Sequence, residues 1–174
     1  MSISSPVQRC NAIFDDSPVI VFEHLRLYVT EGPVPEEPYR IPLGKAAVRR
    51  EGSDVTIVGI SYMVNRALEA AELLAAEGID AEVVDPRTLS PLDEKTLLRS
   101  VEKTGAMVVV DESPPRCSAA ADLASIVTEK AFDSLNAPVR KVCAAHAPVP
   151  FSPPLERAYA PSVESIVTAV KSVA

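Results

Sequence analysis

From Val55 onward the apolar positions alternate between two rhythms. Val55 to Ile60 is a mostly apolar run of strand length, and the segment after it changes period. Val64, Ala67, Leu68, Ala71, Leu74 and Ala75 recur with helical spacing and share one face, with Ser61 placed to cap the helix and Gly78 to close it. Ile79 to Asp85 reads as the next strand. Ser90-Pro91-Leu92-Asp93 then opens a second helix, with Ser90 at N-cap, Pro91 at N1 and Asp93 at N3, ending near Gly105. Asp93 also suits the positive end of that helix. Ala106 to Asp111 is again a strand, followed by a helix from Ser118 to Leu135 with a stripe of Leu123, Ile126, Val127 and Ala131, and a strand from Val139 to Cys143. A proline-rich loop, Ala144 to Pro154, precedes a last helix that begins near Ser162 and turns Val163, Ile166, Val167 and Val170 inward. Strands alternating with helices of this length imply right-handed crossovers. The predicted fold is α/β, a three-layer sandwich with a mainly parallel sheet and helices on both faces.

Upstream the rhythm is absent. Residues 1–17 are polar and irregular, and Pro18-Val19-Ile20-Val21-Phe22-Glu23 reads as a buried strand. Between Gly32 and Pro42 stand Pro33, Pro35, Pro38 and Pro42, which deny backbone donors and favour an extended linker over a helix or central strand.

Composition narrows the function classes. A chain of 174 residues is long enough for one domain with a core. A net charge of -7 supplies no basic field, so nucleic acid is not an expected partner. The longest apolar runs, such as Met107 to Val110, fall far short of the roughly 18 residues of a membrane span, and the N-terminus lacks a basic-then-apolar signal pattern. No membrane partner and a cytoplasmic location are therefore expected. Cys10, Cys117 and Cys143 are odd in number and widely spaced, which suits a reducing compartment. The only metal-like spacing is Cys143-x-x-His146, with His24 far away in sequence, too few ligands for a zinc site. The six glycines, at 32, 44, 52, 59, 78 and 105, form neither a dinucleotide fingerprint nor a P-loop.

Ligands of an open parallel sheet gather beyond the carboxyl ends of its strands. Four loops qualify: 61–62, 86–91, 112–117 and 144–154. Within the third, Cys117 precedes a helix start and stands beside Arg116, which favours a thiolate, whereas Asp111 and Glu112 oppose it. A small buried thiol is the preferred reading over a nucleophile. Arg87 can bind an anion, but Asp85, Asp93 and Glu112 offer it structural ion pairs, and that role is preferred. Arg87, Glu112, Arg116, Cys117 and His146 are thus candidates for an interface or strand-end loop. No catalytic, cofactor-binding or metal residue is assigned.

Several longer segments carry a resemblance. Val55-Thr56-Ile57-Val58, Met63-Val64, and Glu82-Val83-Val84-Asp85-Pro86-Arg87-Thr88-Leu89-Ser90-Pro91-Leu92-Asp93 are similar to the C-terminal domain of the transketolase-like beta subunits of 2-oxo acid dehydrogenases. Pro18 to His24 with Leu27-Tyr28, Val34 to Tyr39, and Ile41 to Ala46 resemble the last strand of that subunit's pyrimidine-binding domain and its linker. Pro115-Arg116-Cys117-Ser118 with Ala121-Asp122, and the stretch from His146 to Glu156, resemble the acetoin dehydrogenase branch; Asn65 departs from the histidine that relatives often have there.

The resemblance implies residues 1–30 as the end of a pyrimidine-binding domain, 31–50 as linker, and 51–174 as the transketolase C-terminal-like domain. It implies thiamine diphosphate and Mg²⁺ in an intact complex of two alpha and two beta subunits, held by the alpha subunit and the N-terminal half of beta, with no cofactor in this chain. The expected partners are a dehydrogenase alpha subunit, a second beta subunit and a lipoyl acyltransferase core. The chain is expected to serve assembly and docking, to form a homodimer and to be inactive alone. Two other readings compete: an independent module binding a small anionic ligand at Arg87 and Arg116, and a redox module using Cys117.

Overall fold

Three runs of β-branched residues, Val55–Gly59 (β2), Ala81–Asp85 (β3) and Met107–Asp111 (β4), are buried at every position. Such runs require cover on both faces, and they lie at the centre of a five-stranded sheet of order β1-β3-β2-β4-β5. The computed structural model describes residues 12–31 and 41–174. Strands β2, β3, β4 and β5 (Arg140–Cys143) run parallel, and β1 (Ala47–Arg50) closes one edge antiparallel to β3.

The helices are α1 (Met63–Ala76), α2 (Glu94–Thr104), α3 (Ala119–Lys130), α4 (Pro153–Tyr159) and α5 (Val163–Lys171). Alternate residues of each central strand face opposite cores. Val55, Ile57, Val83, Val108 and Val110 pack with Ala67, Ala71 and Leu74 of α1 and Ile166 and Val170 of α5. Val58, Val84, Met107 and Val109 pack with Leu97 and Val101 of α2 and Leu123 and Val127 of α3. The expected three-layer α/β architecture is therefore the observed one.

Several local expectations are corrected. Pro18 to Glu23 forms no strand: Ile20 and Phe22 are 80% and 91% exposed. Apolar, β-branched composition makes a strand only where a neighbouring strand satisfies its backbone, and among the described residues none pairs with this segment. The cap of α2 is Asp93, not Ser90, which lies in the loop before a cis Pro91. One Asp93 oxygen accepts the Thr96 N–H at 3.2 Å, and the other accepts both the Thr96 hydroxyl at 2.8 Å and the Ala46 N–H at 3.1 Å. Burial opposes its charge, but these bonds hold the carboxyl below its usual range.

Ser61 does not cap α1 either. It adopts a left-handed φ of 56°, and the helix starts after Tyr62 with no side-chain cap. Gly59 explains the tight entry, since a Cβ there would lie 2.7 Å from the Val64 backbone. Helix α3 ends at Lys130 and a 3-10 turn, Phe132–Ser134, replaces its expected last turn. Strand β1 lies inside the stretch read as linker, and α4 lies at the end of the stretch read as loop. The expected extended linker at 32–40 and Cys10 lie outside the described residues.

Candidate functional site

The order of the strands determines where a site can form. Helix α1, after β2, covers one face, whereas α3, after β4, covers the other, although β2 and β4 are parallel neighbours. The chain leaves these two strands in opposite directions, which opens a crevice at their carboxyl ends. Tyr62, just beyond β2, and Glu112, the residue after β4, stand at that crevice.

The N-terminal segment lies across it. His24 Nε2 is 2.6 Å from a Glu112 carboxylate oxygen, and the imidazole stacks on the Tyr62 ring with centroids 5.2 Å apart and planes 13° from parallel. The other ring nitrogen accepts the Arg26 N–H at 3.2 Å, capping the 3-10 turn Leu25–Leu27. The imidazole proton therefore resides on Nε2 and is donated to Glu112. The Arg26 guanidinium lies 5.8 Å from the Tyr62 ring centre and 3.5 Å from Glu156 of α4, and Arg66 of α1 lies 5.5 Å from the same ring while pairing with Glu69 at 3.0 Å. The aromatic ring is thus shared by an imidazole and two guanidiniums.

The loop after β3 holds Arg87, with a left-handed φ of 59°. Of the three ion pairs expected for it only Asp85 is near, with Arg87 Nε 4.0 Å from Oδ2. Asp93 is engaged at the α2 cap and Glu112 with His24, so neither is free for Arg87. Asp85 is 1% exposed; Oδ1 accepts the Arg87 N–H at 2.9 Å, while the buried Oδ2 has no hydrogen-bond donor. Burial pushes its carboxyl up to about 6 against the opposing pull of Arg87.

In the loop after β4, Asp111 anchors the turn. Its oxygens accept the Ser113 N–H at 2.9 Å and the Ala120 N–H at 3.3 Å, tying the strand end to the first turn of α3. Cys117 sits between, exposed, with a φ of 51°, and Ser118 caps α3. The expectation of a small buried thiol is therefore corrected, because the turn carries Cys117 outward ahead of the cap. It opens onto a groove of about 560 Å³ lined by Leu89, Leu92, Ala121 and Leu123. Arg116 and His146 are exposed and make no ion pair among the described residues. Cys143 is half-buried, and burial together with the Asp111 carboxylate pushes its thiol up, which disfavours a thiolate.

The five candidates therefore do not form one constellation. Glu112 belongs to the crevice, Arg87 to Asp85, Cys117 to the groove at α3, and Arg116 and His146 face solvent. Tyr62, in one of the four loops singled out from the sequence, completes the crevice with His24, Arg26 and Arg66, which were not anticipated. Tyr62 carried a signal, since it follows a strand end; His24 carried none, because only the fold brings it to β4.

A thiamine diphosphate site needs a metal-binding set and a cradle for the diphosphate. Among the described residues no three or more His, Cys, Asp or Glu side chains are grouped to hold a metal ion. No helix among the described residues is long and apolar enough to cross a membrane.

Residues 44–166 match the family model described as transketolase, C-terminal domain. The chain is 52% identical over 157 residues to the acetoin:2,6-dichlorophenolindophenol oxidoreductase subunit beta of Bacillus subtilis, covering 90% of this chain and 46% of the relative. It is 55% identical over 160 residues to the subunit of the same name from Cupriavidus necator, covering 92% and 47%. The pyruvate dehydrogenase E1 component subunit beta of B. subtilis is 43% identical over 164 residues, covering 94% and 50%. The chain thus spans about half the length of the curated relatives it matches. Among solved structures, one titled split gene transketolase, inactive beta4 tetramer, superposes with a TM-score of 0.68 at 34% identity, covering 81% of this chain and 45% of that one.

Proposed function

Because this chain belongs to the transketolase C-terminal domain family, we propose that it serves as the C-terminal domain of the beta subunit of a thiamine-diphosphate-dependent acetoin dehydrogenase. The observation that carries the acetoin branch is the contrast within one organism, 52% identity to the acetoin subunit of B. subtilis against 43% to its pyruvate counterpart. In this reading residues 51–174 form an assembly domain, and thiamine diphosphate with Mg²⁺ is held by the alpha subunit and the pyrimidine-binding half of beta. Its partners are a dehydrogenase alpha subunit, a second beta subunit and a lipoyl acyltransferase core. The chain works in the cytoplasm, self-associates as a dimer and has no dehydrogenase activity alone.

Exposed Arg116, Cys117 and His146 are consistent with surfaces kept for partners, and the pairing of Arg87 with Asp85 at 4.0 Å leaves only Arg116, of the two cations of the rival small-anion reading, without an ion pair among the described residues. Co-purification of the tagged chain with an alpha subunit, a full-length beta subunit and an acyltransferase core tests the proposal. Retention of one of the three is the expected result; failure to retain any removes the assembly role. Stabilisation by a small anionic metabolite, lost in Arg87→Ala, would favour the rival reading.

A further inference from the structure

Within residues 12–31 only Leu27 is buried, at 4% exposure, while its neighbours Leu25 and Val29 are 76% and 84% exposed. The segment therefore touches the domain along one side. The tight turn at Leu25–Leu27 explains which side, because residues three apart eclipse in a 3-10 turn and His24 and Leu27 both face inward. His24 then bridges both lips of the crevice, stacked on Tyr62 beyond β2 and bonded to Glu112 beyond β4. Arg26 adds a third anchor at Glu156 of α4. These contacts lie at the surface, in contrast with the fully buried strands beneath them. A segment attached in this way opens locally at much lower free energy than the sheet.

We propose that residues 23–28 are a displaceable strap that closes the crevice between the ends of β2 and β4. The strap lifts as a unit about the His24 clasp, and its release uncovers the faces of Tyr62 and Glu112 that His24 holds. Both nitrogens of one imidazole take part in the clasp, so replacing His24 removes two of its hydrogen bonds at once. The inference concerns this chain alone and goes beyond the assembly role, so it stands or falls separately from that reading.

Hydrogen exchange read by mass spectrometry on the full chain tests the strap. Amides of residues 26–30, among them Leu27, Tyr28 and Thr30, whose N–H groups are bonded within the turn, should exchange more slowly than unstructured chain but faster than those of β2 and β4. His24→Asn keeps an oxygen that can cap the turn but loses the stack and the reach to Glu112; Glu112→Ala removes the acceptor. Each should speed strap exchange by about ten-fold or more, the factor for losing one hydrogen bond to a charged group, and leave β2 and β4 unchanged. Carbodiimide labelling of Glu112 should rise in His24→Asn. The proposal is overturned if the strap is unprotected in the native chain or opens only together with β2 and β4. Unchanged strap exchange in both variants, or unchanged Glu112 labelling, would also overturn it.

Discussion

Strand β3 carries a buried carboxylate at each end, and the two are treated in opposite ways. Glu82, at the amino end, is 1% exposed and fully engaged: it accepts from the Ser100 hydroxyl, from the Lys103 ammonium and, at 3.4 Å, from the Gly52 N–H. Ser100 continues the network to Thr56 at 2.8 Å, and Thr56 reaches Thr104 at 2.8 Å. Asp85, at the carboxyl end of the same strand, is equally buried but leaves one oxygen without a donor. The amino end is thus closed by a satisfied polar network that fixes β2, β3 and α2 together. The carboxyl end keeps a buried carboxylate oxygen without a donor, three left-handed non-glycine residues at 61, 87 and 117, and a strap held at the surface. Strain and unmet polarity persist where an α/β sheet does its binding, and they are confined there because the other end is locked.

The largest expected effect breaks the locked end. Glu82→Ala leaves Ser100 and the Gly52 N–H buried without their acceptor, and should destabilise the chain by about 3 kcal/mol in urea unfolding. Part of the ion-pair contribution is lost more cheaply, because Lys103 is 43% exposed and returns to water. A loss below about 1 kcal/mol would mean that the network contributes little.

Asp85 gives the opposite sign. Its carboxyl titrates near 6 in the folded chain and near 3.9 when unfolded, so the folded state binds the extra proton between those values. Stability attributable to Asp85 therefore falls as pH rises through that window and is flat above it. Asp85→Asn should remove this slope and be more stable than the native chain at pH 7 by about 2 kcal/mol. Parallel pH–stability profiles for the two chains would show that Arg87 already satisfies the acid.

Thr56→Val deletes the link between Ser100 and Thr104 but leaves Ser100 bonded to Glu82 and Thr104 bonded to two backbone carbonyls. A loss of about 1 kcal/mol is expected, well under that of Glu82→Ala. The smallest effect is at the open end. Iodoacetamide should modify exposed Cys117 before half-buried Cys143, and alkylation of Cys117 alone should change stability by less than about 0.5 kcal/mol. Peptide mapping and a thermal melt measure both; modification of Cys143 first would contradict the exposure assigned to the two thiols.

Much of the fold was legible because burial on two faces writes itself into composition. β2, β3 and β4 need apolar residues at every position, and α1 and α5 need a stripe, so their periods separate cleanly in the chain. The elements that escaped are those with little to bury. Ala47–Arg50 is only half-buried along its length, and Pro153–Tyr159 buries no residue, so neither leaves a pattern. Pro18 to Glu23 shows the converse error, since its apolar run was read as a buried strand although nothing pairs with it. At the candidate site, Glu112 and Arg87 were legible as strand-end residues and Asp85 as a partner of Arg87, but His24 as the partner of Glu112 was not. A strand end announces itself locally, whereas the partner of a side chain depends on which strands become neighbours.

By itself, then, the sequence determined the α/β class, the succession of strands and helices from β2 to α5 with the exception of α4, and the family to which the chain belongs, because periodicity and motif are local properties of the chain. Tertiary structure alone decided that β4 pairs with β2 rather than with β3, and this one choice created the crevice and brought Glu112 to the lip that His24 reaches. Strand order depends on how two helical layers divide the faces of a sheet, a packing competition among distant segments that no stretch of residues encodes alone.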